Sequence, residues 1–220
     1  MSNQNQTTSE LIYQGLKQDI IQGVYPCGEK IKLEEIKERY NVSYSPLREA
    51  LSRLAESRLL INSGQRGFRV PEMSQTDFED ITETRIKLEC MALEMSLLKG
   101  DMEWESSVVG AYHMLSLQEK LIHEKGEVNQ ENIQRLDDVH EAFHQALLSG
   151  SQSPWLLFFV KSLNAQFDRY RRYSATFQFS HSKSVQYHLK LKELSLERNT
   201  SEALKVLEEH IRYSAQAIIK

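Results

Sequence analysis

Two cysteines, Cys27 and Cys90, are too few for a disulfide framework. They read as small buried hydrophobes. Four prolines and nine glycines leave little room for long disordered linkers. The longest apolar run, Trp155-Leu-Leu-Phe-Phe-Val160, falls far short of the roughly 20 residues that span a bilayer. Met1 to Glu10 is polar and has no apolar signal core, so residues 1–9 are expected to be a short flexible tail on a cytoplasmic protein with no membrane partner. Nucleophile elbow, phosphate loop and dinucleotide fingerprint are all missing, and an enzyme is set aside.

The net charge of −4 argues weakly against nucleic-acid binding, but its distribution matters more. Residues 1–73 hold ten Lys/Arg and nine Asp/Glu, a net of +1; the remainder holds seventeen and twenty-two, a net of −5. Within 43–70 there are five arginines against two glutamates, a net of +3. A compact DNA-reading unit joined to an acidic sensor gives this pattern.

Local signals agree. Glu10 to about Gly23 is a helix with Leu11, Ile12, Leu16, Ile20 and Ile21 at apolar spacing. A short helix over Leu33–Tyr40 ends at Asn41. A third starts with Ser45 as N-cap and Pro46 at its first position, and buries Leu47, Ala50, Leu51 and Leu54. Leu59–Ile61 and Phe68–Val70 flank a Gly-containing turn and form a hairpin. Three helices and a hairpin make a winged helix-turn-helix, placed at 10–72. Beyond it, helical patterns run over about 74–98, 103–125, 129–149, 152–178, 183–197 and 200–219, with no strand signal. The fold class is therefore mainly α, with an all-α antiparallel bundle at 73–220.

The start of the second helix of a helix-turn-helix enters the major groove. That puts Ser43, Tyr44, Ser45 and Arg48 at the bases, with Arg48 the best candidate for a bidentate guanine contact. Arg53 and Arg58 either touch phosphate or pair with Glu49 and Glu56. Lys32, with Lys30, precedes the second helix and can bind phosphate. Arg66 and Gly67 sit at the hairpin tip, where a minor groove is reached.

All seven histidines follow residue 112. His140 and His144 are i and i+4 on one helix face. His188 lies eleven residues before Asn199 and His210 eleven after it. If Asn199 is the turn of an antiparallel pair, with Glu202 as its capping partner, those two histidines sit level. Four imidazoles from three helices can hold Zn²⁺ or a similar divalent transition metal, Ni²⁺ included. Unrelated packed histidines remain the alternative. His113, His123 and His181 have no such pairing and are left as surface or packing residues.

The stretch Val42-Ser-Tyr-Ser-Pro-Leu-Arg-Glu-Ala-Leu-Ser-Arg-Leu54, with Ile20-Ile-Gln-Gly-Val-Tyr-Pro-Cys-Gly-Glu-Lys-Ile31 and the wing Arg66-Gly67-Phe68-Arg69-Val70, closely resembles the GntR family of regulators. Residues 74–215 resemble the FCD sensor domain of that family's FadR-like branch. The carriers are Thr84-Arg-Ile-Lys-Leu-Glu89, Asp137-Asp-Val-His-Glu-Ala-Phe-His144, His188 and Glu209-His210. The resemblance implies a metal beside a pocket for a small organic acid, a homodimer, and an operator in double-stranded DNA. It also implies that Arg85 and Arg169 hold the carboxylate effector, although Arg85 can equally pair with Glu89 at i+4. Resemblance is closest to repressors that respond to short dicarboxylates such as glutarate. Two departures stand out. Tyr44 replaces an arginine that reads bases in many members, so the operator is expected to differ. His140 replaces an aspartate, leaving the metal site one charge more positive. Competing expectations are a regulator for which the metal itself is the signal, and a structural DNA-binding protein with no ligand.

Overall fold

A computed structural model describes residues 7–123, 126, 129–174 and 181–218. The supposed tail residues 1–6, the helix ends 124–125 and 175–178, the break at 179–180 and Ile219 lie outside that set, as do the side chains of His123 and His181. By contact the chain divides into two compact units. One is Met1–Ile81 with Asn164–Ala175, and the other is Thr82–Leu163 with Thr176–Lys220. Helices α4 (Gln75–Lys99) and α7 (Pro154–Tyr173) contribute residues to both.

The first unit holds α1 (Thr8–Ile21), α2 (Leu33–Tyr40), α3 (Tyr44–Glu56) and a hairpin of β1 (Ile61–Asn62) and β2 (Phe68–Arg69). The helix α1 begins earlier than expected because the Thr7 hydroxyl accepts from the Glu10 amide and caps it, so residues 8 and 9 are helical. Ile12, Leu16 and Ile20 are buried, but Leu11 is exposed: it lies about 100° round the helix from Ile12. The start of α3 also differs. Ser43, not Ser45, is the N-cap residue, and Pro46 is third in the helix. No hydrogen bond is lost, since the first four helical N–H groups have no intrahelical partner. Asn41 ends α2 in the left-handed conformation, as Asn tolerates. The hairpin pairs Ile61 with Arg69 and Asn62 with Phe68, and Lys30 bridges to Arg69 on its other side. Gly67 takes φ 82° and ψ −153°, a region that only glycine enters freely.

Residues 164–173 of α7 complete this unit. Phe167 and Tyr170 stack on Phe78 at ring distances of 5.2 and 4.9 Å. Tyr170 donates to Asp77 at 2.6 Å, and Gln166 to the Ser57 carbonyl at 2.9 Å. The Tyr173 hydroxyl donates to the Tyr25 carbonyl.

The second unit packs residues 82–99 of α4 with α5 (Met102–His123), α6 (Gln130–Ser149), residues 154–163 of α7, α8 (His181–Leu196) and α9 (Thr200–Gln216). Asn129 and Asn199 cap α6 and α9 through their side-chain oxygens, and Pro154 opens α7. Leu93, Val108, Leu115, Phe143, Leu191 and Leu207 lie in one apolar cluster. Both cysteines are half-buried rather than buried, and burial raises both thiols, Cys90 to about 11.

Arg198 closes the end of α4. Its guanidinium donates to the Leu97 carbonyl at 3.1 Å, the Gly100 carbonyl at 2.8 Å and Glu105 at 2.6 Å, and lies 4.5 Å from the Trp104 ring. A cation on the last carbonyls of a helix satisfies acceptors that the helix cannot. Arg198→Ala is expected to lower unfolding free energy by about 2–3 kcal/mol, since hydrogen bonds to a charged group are lost. Urea denaturation measures it; a change under about 0.5 kcal/mol contradicts the capping role.

Candidate DNA-reading surface and metal centre

The N-terminal turn of α3 presents Tyr44, Ser45 and Arg48 to solvent. Among the described residues, no ion pair engages Arg48. Tyr44 is tethered: its hydroxyl donates to Glu34 on α2, and Lys37 lies 4.6 Å from its ring centre. Lys32 is exposed and forms a surface pair with Glu35 at 2.8 Å. Arg66 is exposed at the hairpin tip beside Gly67. Arg53 does not pair with Glu49. It pairs with Glu10 at 2.8 Å and covers the Tyr13 ring at 4.2 Å, while Glu49 accepts from Ser9 at 2.8 Å. Arg53 is thus held by α1.

The second unit brings all four expected histidines together. Ring nitrogens of His140, His144, His188 and His210 lie within 4.8 Å of one another. His188 and His210 are level, as their equal spacing from Asn199 requires: their rings are 4.8 Å apart. His144, His188 and His210 are buried, and His140 is half-buried. Phe143 packs edge-on against His144 and His188, at 5.6 and 5.7 Å. His188 Nδ1 lies 2.9 Å from Glu119 Oε1 on α5. Arg85 donates to Glu89 at 2.6 Å, so the i+4 pairing left open in the sequence is formed.

Arg169 belongs to the first unit, is 1% exposed and donates to the Pro71 carbonyl at 3.0 Å; Arg85 belongs to the second unit.

The description "Bacterial regulatory proteins, gntR family" matches residues 8–70, and the FCD domain matches 80–213. The chain belongs to the GntR family and carries an FCD domain. It is 36% identical, over 95% of its length and 84% of the relative's, to the uncharacterised HTH-type transcriptional regulator BphR of Paraburkholderia xenovorans strain LB400. It is 33% identical to the HTH-type transcriptional repressor GlaR of Escherichia coli K12, over 90% of each chain. In fold it is similar to E. coli McbR/YncC, with a TM-score of 0.78, 18% identity, and coverage of 97% of this chain and 98% of that one. This GntR-family protein is a DNA-binding transcription regulator, and its relatives are regulators rather than enzymes. No helix among the described residues is long and apolar enough to cross a membrane.

Within the regulator's FCD domain the four imidazoles fit a metal. His144 Nδ1 and Nε2, His188 Nε2 and His210 Nδ1 are buried without a hydrogen-bond partner among the described residues. Buried polar atoms are normally satisfied, and a transition-metal ion about 2.0–2.1 Å from each nitrogen is a partner for such lone pairs. Burial first, then the charge of neighbouring histidines of the cluster and that of Arg85, hold His144 and His210 well below the ordinary histidine range. They are neutral, as ligation needs.

His140-Glu141-Ala142-Phe143-His144 has the His-Glu-x-x-His spacing of zinc hydrolases. Glu141, however, is exposed and accepts from Gln145 at 2.6 Å, so the general base of that chemistry is not at the histidines. One residue at the cluster had no sequence signal. Glu119 follows Gln118 in a polar stretch that reads as surface, and only the fold brings it to His188, 69 residues away.

The depressed histidines set a pH dependence for the metal-free protein. Unfolded, each imidazole takes a proton near its ordinary value of 6.5; folded, it does so only at much lower pH. Stability is therefore full above about pH 7 and falls as pH drops below 6.5, by up to about 1.4 kcal/mol per pH unit per histidine. Urea midpoints between pH 5 and 8 measure this; a flat profile from 6.5 to 5 contradicts it.

Proposed function

We propose that this regulator is a repressor, binding a two-fold-related operator as a homodimer and released by a small organic acid bound beside a divalent metal. The observation that carries the sensing half is the convergence of His140, His144, His188 and His210, the last three with buried unpartnered nitrogens. Zn²⁺ fits four imidazoles, and Ni²⁺ is the other candidate. The ion supplies a Lewis-acidic positive charge. Arg85 is already paired with Glu89, so the four neutral imidazoles leave most of that charge for an anion to balance. A short carboxylate, mono- or dicarboxylate, fits that need. The repressor sign is supported by the relative that is named a repressor.

On the DNA side, Arg48 and Ser45 are assigned to the major groove, Tyr44 to phosphate or sugar, and Arg66 and Gly67 to the wing contact. Lys32 binds phosphate once its pair with Glu35 is exchanged. Arg53 keeps at most a phosphate role, through release of Glu10.

A second reading has an observation of its own. Four protein ligands complete a tetrahedral shell, as in closed structural sites, whereas an octahedral ion keeps two places open. With a tetrahedral ion, the metal itself is the signal.

Operator affinity decides between them. Metal-loaded protein titrated with glutarate and other short mono- and dicarboxylates is expected to lose at least ten-fold in operator affinity with one of them. That corresponds to about 1.4 kcal/mol of coupling, within the usual range. Response to metal with none to any acid favours the second reading, and response to neither removes both. In the same assay Arg48→Ala is expected to relax base preference at one pair per half-site, by about 1–3 kcal/mol.

A further inference from the structure

Glu119 lies outside the set of four histidines, and its burial needs a reason. Its side chain is 6% exposed. Glutamate is almost never buried that far unless paired, because an ionised carboxylate without partners is strongly penalised in an apolar interior. The other deeply buried carboxylate near the histidines, Glu89, has the Arg85 guanidinium at 2.6 Å. Among the described residues no lysine or arginine forms an ion pair with Glu119. Among the described residues its one hydrogen-bond partner is His188 Nδ1 at 2.9 Å, and its other oxygen is buried without a partner.

That single contact bears directly on the His188 ring. When Glu119 is ionised it only accepts, and Nδ1 then carries the hydrogen. The lone pair is then on Nε2, which is buried without a partner on a ring that offers one nitrogen within 4.8 Å of one nitrogen each of His140, His144 and His210. A free imidazole divides its proton between both nitrogens; this one is committed. The edge of Phe143, 5.7 Å from the His188 ring, limits its rotation.

Charge points the same way. A divalent ion on four neutral imidazoles brings +2 into the domain interior, and the Arg85–Glu89 pair adds nothing net. Among the described residues no lysine or arginine pairs with Glu119, and it lies one imidazole away from where an ion would be held. With it, the site carries about +1.

We propose that Glu119 is a positioning residue for the metal: it fixes the His188 tautomer, makes Nε2 a better donor, and supplies the negative charge that a shell of four imidazoles lacks. This rests on the metal reading above. It also sharpens the guest, because a net charge near +1 is balanced by a single carboxylate group. A second carboxylate on the same molecule then needs a partner elsewhere.

The test separates a structural role from a positioning one. Zn²⁺ affinity is measured by chelator competition on the full chain, for the wild type and for Glu119→Gln and Glu119→Leu. Gln keeps an acceptor for Nδ1 and removes the charge; Leu removes both. Loss of about 10–100-fold is expected for Gln, as for other carboxylates behind a metal-bound histidine, and a larger loss for Leu. The Leu variant is also expected to alter the ligand-field spectrum of the Co²⁺-loaded protein, since His188 is no longer committed. Since Glu119 acts mainly through His188, the Gln substitution is expected to cost clearly less affinity in the His188→Ala background than in the wild type. Wild-type Zn²⁺ affinity in both variants overturns the proposal. So does an equal loss in the His188→Ala background, or a metal-free Gln variant without the wild-type helical circular dichroism, which assigns Glu119 to packing alone. A wild type that binds neither Zn²⁺ nor Co²⁺ overturns the metal reading itself, and is recognisable because the reference protein fails first.

Discussion

Four imidazole rings meet inside a helical bundle, and ordinary packing does not explain why they face one another. The rings sit 4.6 to 6.0 Å apart, and the unpartnered nitrogens of His144, His188 and His210 leave lone pairs in an apolar interior. Such an arrangement is unfavourable unless something ties the nitrogens together. The second unit is organised around that constraint. The α8–α9 pair turns at Asn199, which sets His188 and His210 level, and α6 presents two histidines one turn apart. From α5 comes the carboxylate behind His188.

The DNA-reading unit obeys a different constraint, a small apolar core shared by three helices and a hairpin. Residues 164–173, about a hundred residues later in sequence, belong to the same unit. Phe78 meets Phe167 and Tyr170, Asp77 meets Tyr170, and Pro71 meets Arg169. The chain that follows the wing is therefore held by a segment from the helical half. Arg169 donates to a backbone carbonyl there.

Much of this was legible in the sequence because it is local. Apolar spacing, Gly and Pro breaks and the Asn199 cap define the helices, and the equal spacing about Asn199 places two histidines from arithmetic alone. Errors came where local signals compete. Ser43 and Ser45 are both acceptable caps, and Pro46 is tolerated anywhere in the first turn. Leu11 sits next to a buried position without sharing its face. Non-local facts left no trace. Nothing in the run Gln118-Glu119 marks one residue as a partner of His188, and nothing in Arg169-Tyr170-Arg171-Arg172 says which arginine turns inward or toward what. The pattern His140-Glu141-x-x-His144 shows the opposite hazard: a catalytic spacing whose glutamate is on the exposed side.

Metal content is the most direct measure of the central claim. Elemental analysis of protein purified without added chelator is expected to give about one transition-metal ion per chain for the wild type, and little for His144→Ala and His188→Ala. Equal metal content in all three proteins, or none in any, would contradict a centre built from His140, His144, His188 and His210.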